Sequence, residues 1–221
     1  MLAPALQPTQ GTRVSDPGLP TALRWGVVLP ELPPRPGLPL QPDELYELLA
    51  AIRRQYRLHW TGIHGVGHWA RVLDAGLRLA SVTGADPEVV ALFALFHDAC
   101  RRNDGCDPQH GARGADLAPS LVGSRFEGRT HQLELLLEAC THHTGGRTDA
   151  DVTVATCWDA DRLDLLRVGI HPSPHKLCTD AARDPGLIAR ASDRAVRDHV
   201  PGFARAGWLV IDQHHGGRAR G

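Results

Sequence analysis

The apolar and polar positions of this chain change character at about residue 41. Before it, prolines such as Pro30, Pro33, Pro34, Pro36 and Pro39 deny backbone donors and break any helical period, so an extended or disordered leader is expected over residues 1–41. After it, apolar residues recur at the three- and four-residue spacing of amphipathic helices. Leu45, Leu48, Leu49 and Ile52 form one stripe, opened by Pro42-Asp43-Glu44. A second helix is predicted from about His64 to Ala80, turning Val72, Leu73, Leu77 and Leu79 inward.

Asp86-Pro87 combines a capping side chain with a first-turn proline and leads into a run from Val89 to Phe96 that is apolar on nearly all sides. That run reads as a central buried helix. Asp107-Pro108 offers the same start signal before a helix from His110 to about Leu121. Further helices are expected from Thr130 to His142, stopped by Gly145-Gly146, from Val152 to Leu166, and from Asp184 to His199, closed by Pro201. No stretch alternates as a strand would, and no segment repeats. The expectation is an all-α fold: one bundle of about seven helices over 42–201, with the leader before it and a C-terminal tail over 202–221 whose polar, glycine-rich end, 214–220, is expected to fray.

Composition narrows the function classes. A chain of 221 residues suffices for one sizeable core, and a net charge of −1 leaves no electrostatic footprint for nucleic acid or an anionic membrane. No apolar stretch approaches a membrane span, and the first residues lack a basic-then-apolar signal sequence. The five cysteines are odd in number and unpaired in spacing, which points to a reducing compartment, with the cytoplasm as the default. Oligomeric state is not legible. Thirteen histidines are many for this length, and make a metal site the first chemistry to look for.

Three clusters answer that search. The buried helix ends in His97-Asp98, which places an imidazole and a carboxylate at the mouth of the core, where unpaired groups would cost roughly 2–7 kcal/mol each. His64 and His68, four apart, are expected on one helical face. Asp161 and Asp164 sit three apart in an otherwise apolar segment, where a core-facing carboxylate needs a cation. Two nitrogens and two oxygens from separate helices suit Mn, Fe, Co, Ni or Zn, and suit Mg less well.

In this order, His68-Trp69-Ala70-Arg71-Val72, then Phe96-His97-Asp98, then Ala160-Asp161-Arg162-Leu163, the chain resembles the HD superfamily of metal-dependent phosphohydrolases over about residues 43 to 170. The resemblance implies an HD-type helical bundle in which His68, His97, Asp98 and Asp161 bind one divalent ion. It further implies hydrolysis of a phosphomonoester or phosphodiester in a nucleotide-like or small phosphorylated substrate by a metal-activated water. Some HD families add a second ion; His110 and one of His142 and His143 are the candidates here, with a single ion as the primary expectation.

HD enzymes that act on deoxynucleoside monophosphates and on (p)ppGpp carry a glutamate soon after the HD pair. Here Arg101 stands at that position, which argues against both substrates. Arg101 is then a candidate for gripping phosphate or for pairing with a carboxylate, and Asp104 or Asp107 for the general acid. Arg71 and Arg162 are expected to orient ligands rather than touch substrate. The alternatives are a dinuclear-iron oxygenase on the same scaffold and a non-catalytic nucleotide-binding module.

Overall fold

A computed structural model describes residues 36–205 and 207–211. Most of the proline-rich leader and the glycine-rich end of the tail therefore lie outside the described residues. Those described are all helical, with eight α-helices and no strand. They are α1 (Pro42–Gln55), α2 (Val66–Thr83), α3 (Pro87–Phe96), α4 (His110–Val122), α5 (Thr130–His142), α6 (Val152–Arg162), α7 (Pro185–Val196) and α8 (Gly202–Arg205). No described helix is long and apolar enough to cross a membrane.

Local chemistry sets most of the boundaries. Asp86 caps α3 by accepting the amides of Glu88 and Val89, Asp151 caps α6 through Thr153, and Asp184 caps α7 through Leu187. In α1, Pro42, Asp43 and Glu44 occupy the first turn and Arg53 and Arg54 the last, in keeping with the helix dipole. Gly84, at φ 78°, terminates α2 in the left-handed conformation.

Helix α3 is the axis of the bundle. Every residue from Val89 to Phe96 is at most 1% exposed, because α2, α4, α5 and α6 pack around it. A smaller apolar cluster of Leu79, Leu163, Leu177, Ala182 and Leu187 holds α7 and the loop after α6 against α2.

Several boundaries differ from the sequence expectation. The second helix starts at Val66, because the amides of Gly65 and Val66 turn back to Gly62 and Trp60, leaving His64 in the turn before it. Asp107 does not cap α4; its carboxylate is taken by the Arg102 amide and the Arg113 guanidinium, and the helix starts after Gln109. The helix expected to reach Leu166 ends at Arg162 and resumes as a 3₁₀ turn over Leu165–Val168. The segment after Pro201 is not simply a tail: Ala204, Trp208 and Ile211 are buried, and the Trp60 indole donates to the Trp208 carbonyl at 2.7 Å. At the other boundary, Leu40 is already part of the core.

Candidate metal centre

The chemistry-bearing residues gather where helix ends meet. His68 lies in the first turn of α2, His97 and Asp98 follow the last turn of α3, and His110 opens α4. His143 follows α5, and Asp161 lies in the last turn of α6. The carboxyl ends of three helices thus point at one spot, and each carries partial negative charge that favours a cation.

Two groups share one carboxylate. In the first, the Nε2 atoms of His68 and His97 are 3.0 Å apart, and Asp98 Oδ2 lies 3.7 and 3.9 Å from them. Asp161 Oδ1 completes this set at 3.4 Å from His68 Nε2 and 3.8 Å from His97 Nε2. In the second, the Nε2 atoms of His110 and His143 are 2.9 Å apart, with Asp98 Oδ1 at 3.0 and 3.9 Å. Each of these residues is at most 8% exposed.

The protons on the four rings explain what such spacing requires. Each Nδ1 faces an acceptor: Asp164 Oδ2 for His68 at 2.7 Å, the Phe93 carbonyl for His97 at 3.1 Å, the Asp107 carbonyl for His110, and the Cys140 carbonyl for His143 at 2.7 Å. With Nδ1 donating, a neutral ring presents Nε2 as a bare lone pair. Two facing pairs of lone pairs about 3 Å apart repel unless a cation lies between them. Nitrogens at that separation also match neighbouring ligands on an ion about 2.1 Å from each. These buried His/Asp groups could hold a metal ion, and their donor set fits one.

Electrostatics agree with that reading. Burial drives the His97 imidazole down to about 3 against the pull of Asp98 and Asp161, and it lowers His143 as well. Burial opposes ionisation of Asp98 and Asp161. The surrounding imidazoles, with Arg167 beside Asp161, nevertheless hold both carboxyls well below the usual range. Neutral imidazole and ionised carboxylate are the forms that bind metal.

Outer contacts fix the ligands in place. Asp164 accepts from His68 and, at 2.8 Å, from Arg71 Nε, while Arg71 Nη1 reaches Asp198 at 2.7 Å. Arg162 points away from the centre, to the carbonyls of Lys176 and Arg147. Asp159 also faces elsewhere and accepts the amides of Cys178 and Thr179.

Of the adjacent pair, His143 turns inward and His142 is exposed. Arg101 pairs with Asp98 through Nε at 2.9 Å and braces the carbonyls of Asn103 and Gly105. The side chain of Asp104 is exposed, and only its carbonyl reaches the centre, 3.3 Å from His64 Nε2. Asp107 is occupied by Arg113, which with the Arg102 amide keeps its carboxyl low despite partial burial; a group held ionised has no proton to give as an acid.

Three residues near the centre were not among the proposed ligands. His64 Nδ1 lies 3.0 Å from Asp98 Oδ2. Arg167 donates to the Ile63 carbonyl and lies 3.9 Å from Asp161. Gly111 lets α4 approach α5 so closely that a Cβ there would stand 2.3 Å from the Cys140 carbonyl. The glycine after His110 was visible in the sequence, but the neighbour it accommodates was not.

Comparison with protein-family models, with curated proteins and with solved structures finds no match to this chain.

Proposed function

We propose that this protein is a metal-dependent phosphohydrolase with two divalent ions, acting on phosphoester bonds of a small phosphorylated or nucleotide-like substrate. The observation that carries the reading is the Asp98 carboxylate, shared between the Nε2 pairs of His68 and His97 on one side and His110 and His143 on the other. Such a carboxylate suits adjacent ions better than one, which moves the expectation from one ion to two. Manganese, iron, cobalt, nickel and zinc fit four imidazoles with two carboxylates.

Divalent ions held there by His68, His97, Asp98, Asp161, His110 and His143 would supply Lewis acidity and would bring the pKa of water toward neutrality. The chain's own residues do the rest. Asp164, and the carbonyls of Phe93, Asp107 and Cys140, hold the four rings in the tautomer that exposes Nε2. Arg101 holds Asp98, and Arg167 adds positive charge beside Asp161. The motif order of the HD superfamily supports phosphoester hydrolysis as the reaction.

The test is metal analysis of protein purified without air or chelator, followed by a phosphoester panel. Two ions per chain are expected, with phosphate release that disappears in the His97→Ala and Asp98→Ala variants. Absence of metal even after supplementation would defeat the proposal. A second reading rests on the same shared carboxylate, which also suits a dinuclear-iron oxygenase. Two irons with oxygen consumption, and no phosphate release from any ester, would favour it.

A further inference from the structure

Next to the centre lies a cavity of about 150 Å³ whose wall is made of Gln55, Arg57, Cys100, Arg101, Arg102 and Arg113. It sits where the end of α1, the turn after α3 and the face of α4 meet. Four of its six lining residues are arginines and none is acidic. Two of the guanidiniums are balanced: Arg101 by Asp98, and Arg113 by Asp107 at 2.6 Å. Those of Arg57 and Arg102 have no hydrogen-bond or ion-pair partner among the described residues. Guanidiniums crowded around one cavity repel one another, and an oxyanion relieves that repulsion while meeting their planar donors two at a time.

We propose that this cavity is an oxyanion site that takes a phosphate-type dianion, coupled to the metal centre through Arg101. Two balanced and two unbalanced arginines leave a surplus of two positive charges, which matches a dianion. The cavity, at about 150 Å³, has room for a phosphate group. Arg101 joins the two places because its Nε holds Asp98 Oδ1 and the same side chain lines the cavity. Occupancy of the cavity therefore bears on the carboxylate shared by both ligand groups. The proposal does not depend on the centre being hydrolytic.

The test is isothermal titration of the full-length chain with inorganic phosphate, before and after chelator treatment, in wild type and in the Arg57→Gln/Arg102→Gln double variant. Both arginines are exposed, so the variant is expected to fold, which circular dichroism checks. Saturable phosphate binding is expected with and without metal, weakened at least about tenfold in the variant. Unchanged affinity in the folded variant, or loss of all phosphate binding on chelation, overturns the proposal; the second result would leave the metal centre standing. Arginine-dependent phosphate binding by a chain that retains no metal would uphold the cavity and defeat the function proposed above. Pyrophosphate identifies the source of the anion: tighter binding than phosphate only in metal-loaded protein assigns it to a further group on the substrate, and equal binding to a free oxyanion.

Discussion

At the scale of single residues, the centre depends on which ring nitrogen carries the proton. Asp164 sets this for His68 and is itself held by Arg71, so its charge orders a ligand it does not replace. Asp164→Asn is expected to lower metal affinity by roughly 10–100-fold, read by competition with a chromophoric chelator. Affinity equal to wild type would show that Arg71 and the helix backbone suffice to orient the ring. Asp161 Oδ1 lies 3.4 and 3.8 Å from the Nε2 atoms of His68 and His97, the pair it directly contacts. Asp161→Ala should therefore cut the bound metal to the share held by His110 and His143. Full metal content in that variant would remove Asp161 from the ligand set.

At the scale of helices, close approach and ion pairing determine which ends meet. Gly111 and Gly114 form the contact face of α4: a Cβ at Gly111 would strike the Cys140 carbonyl, and one at Gly114 would lie 2.2 Å from the Phe96 carbonyl. Gly111→Ala is expected to cost about 1–3 kcal/mol in urea unfolding and to reduce metal held by the His110/His143 pair more than that held by His68/His97. Loss spread evenly over both groups would contradict this.

Helix α7 is tied to α2 by Asp74, which receives Arg194 Nη1 at 2.6 Å and Arg78 Nε at 3.0 Å. Burial works against the Asp74 carboxylate, yet the two arginines hold its pKa below the ordinary value of 3.8. A carboxyl depressed on folding adds stability above its unfolded pKa and loses it as pH falls toward the folded one. Asp74→Asn should therefore cost about 2 kcal/mol at pH 7, and the gap to wild type should narrow below about pH 4. A gap that stays constant down to pH 3 would mean that the pair contributes through packing alone.

At the scale of the whole molecule, the chain closes on itself beyond the last long helix. Trp208 packs in the same core as α1 and α2, its carbonyl receives the Trp60 indole, and Phe203 lies edge-on to it at 5.4 Å. Trp208→Ala is expected to lower stability by about 3 kcal/mol, measured by urea titration followed through the remaining tryptophans. An unchanged midpoint would mean that this segment adds nothing to the stability of the core.

The amino-acid sequence by itself determined the all-α class, the buried α3 and the residues able to bind metal, because period, capping side chains and residue chemistry are local properties. Spacing named His97 and Asp98 and the pairs His64/His68 and Asp161/Asp164; the motif order of the HD resemblance implied His68 and Asp161 from those pairs, and the structure brings the four together. Tertiary structure decided the rest. Which of His142 and His143 faces inward depends on where α5 packs against α4, and spacing does not encode that. The roles of Arg101 and Asp107 depend on partners a few residues away across a turn, and propensity leaves those open. That Asp98 serves two histidine pairs, and that Arg57 meets Arg102 across a cavity, follows from contacts between distant segments. Such contacts exist only once the core around α3 has set the distances between helix ends.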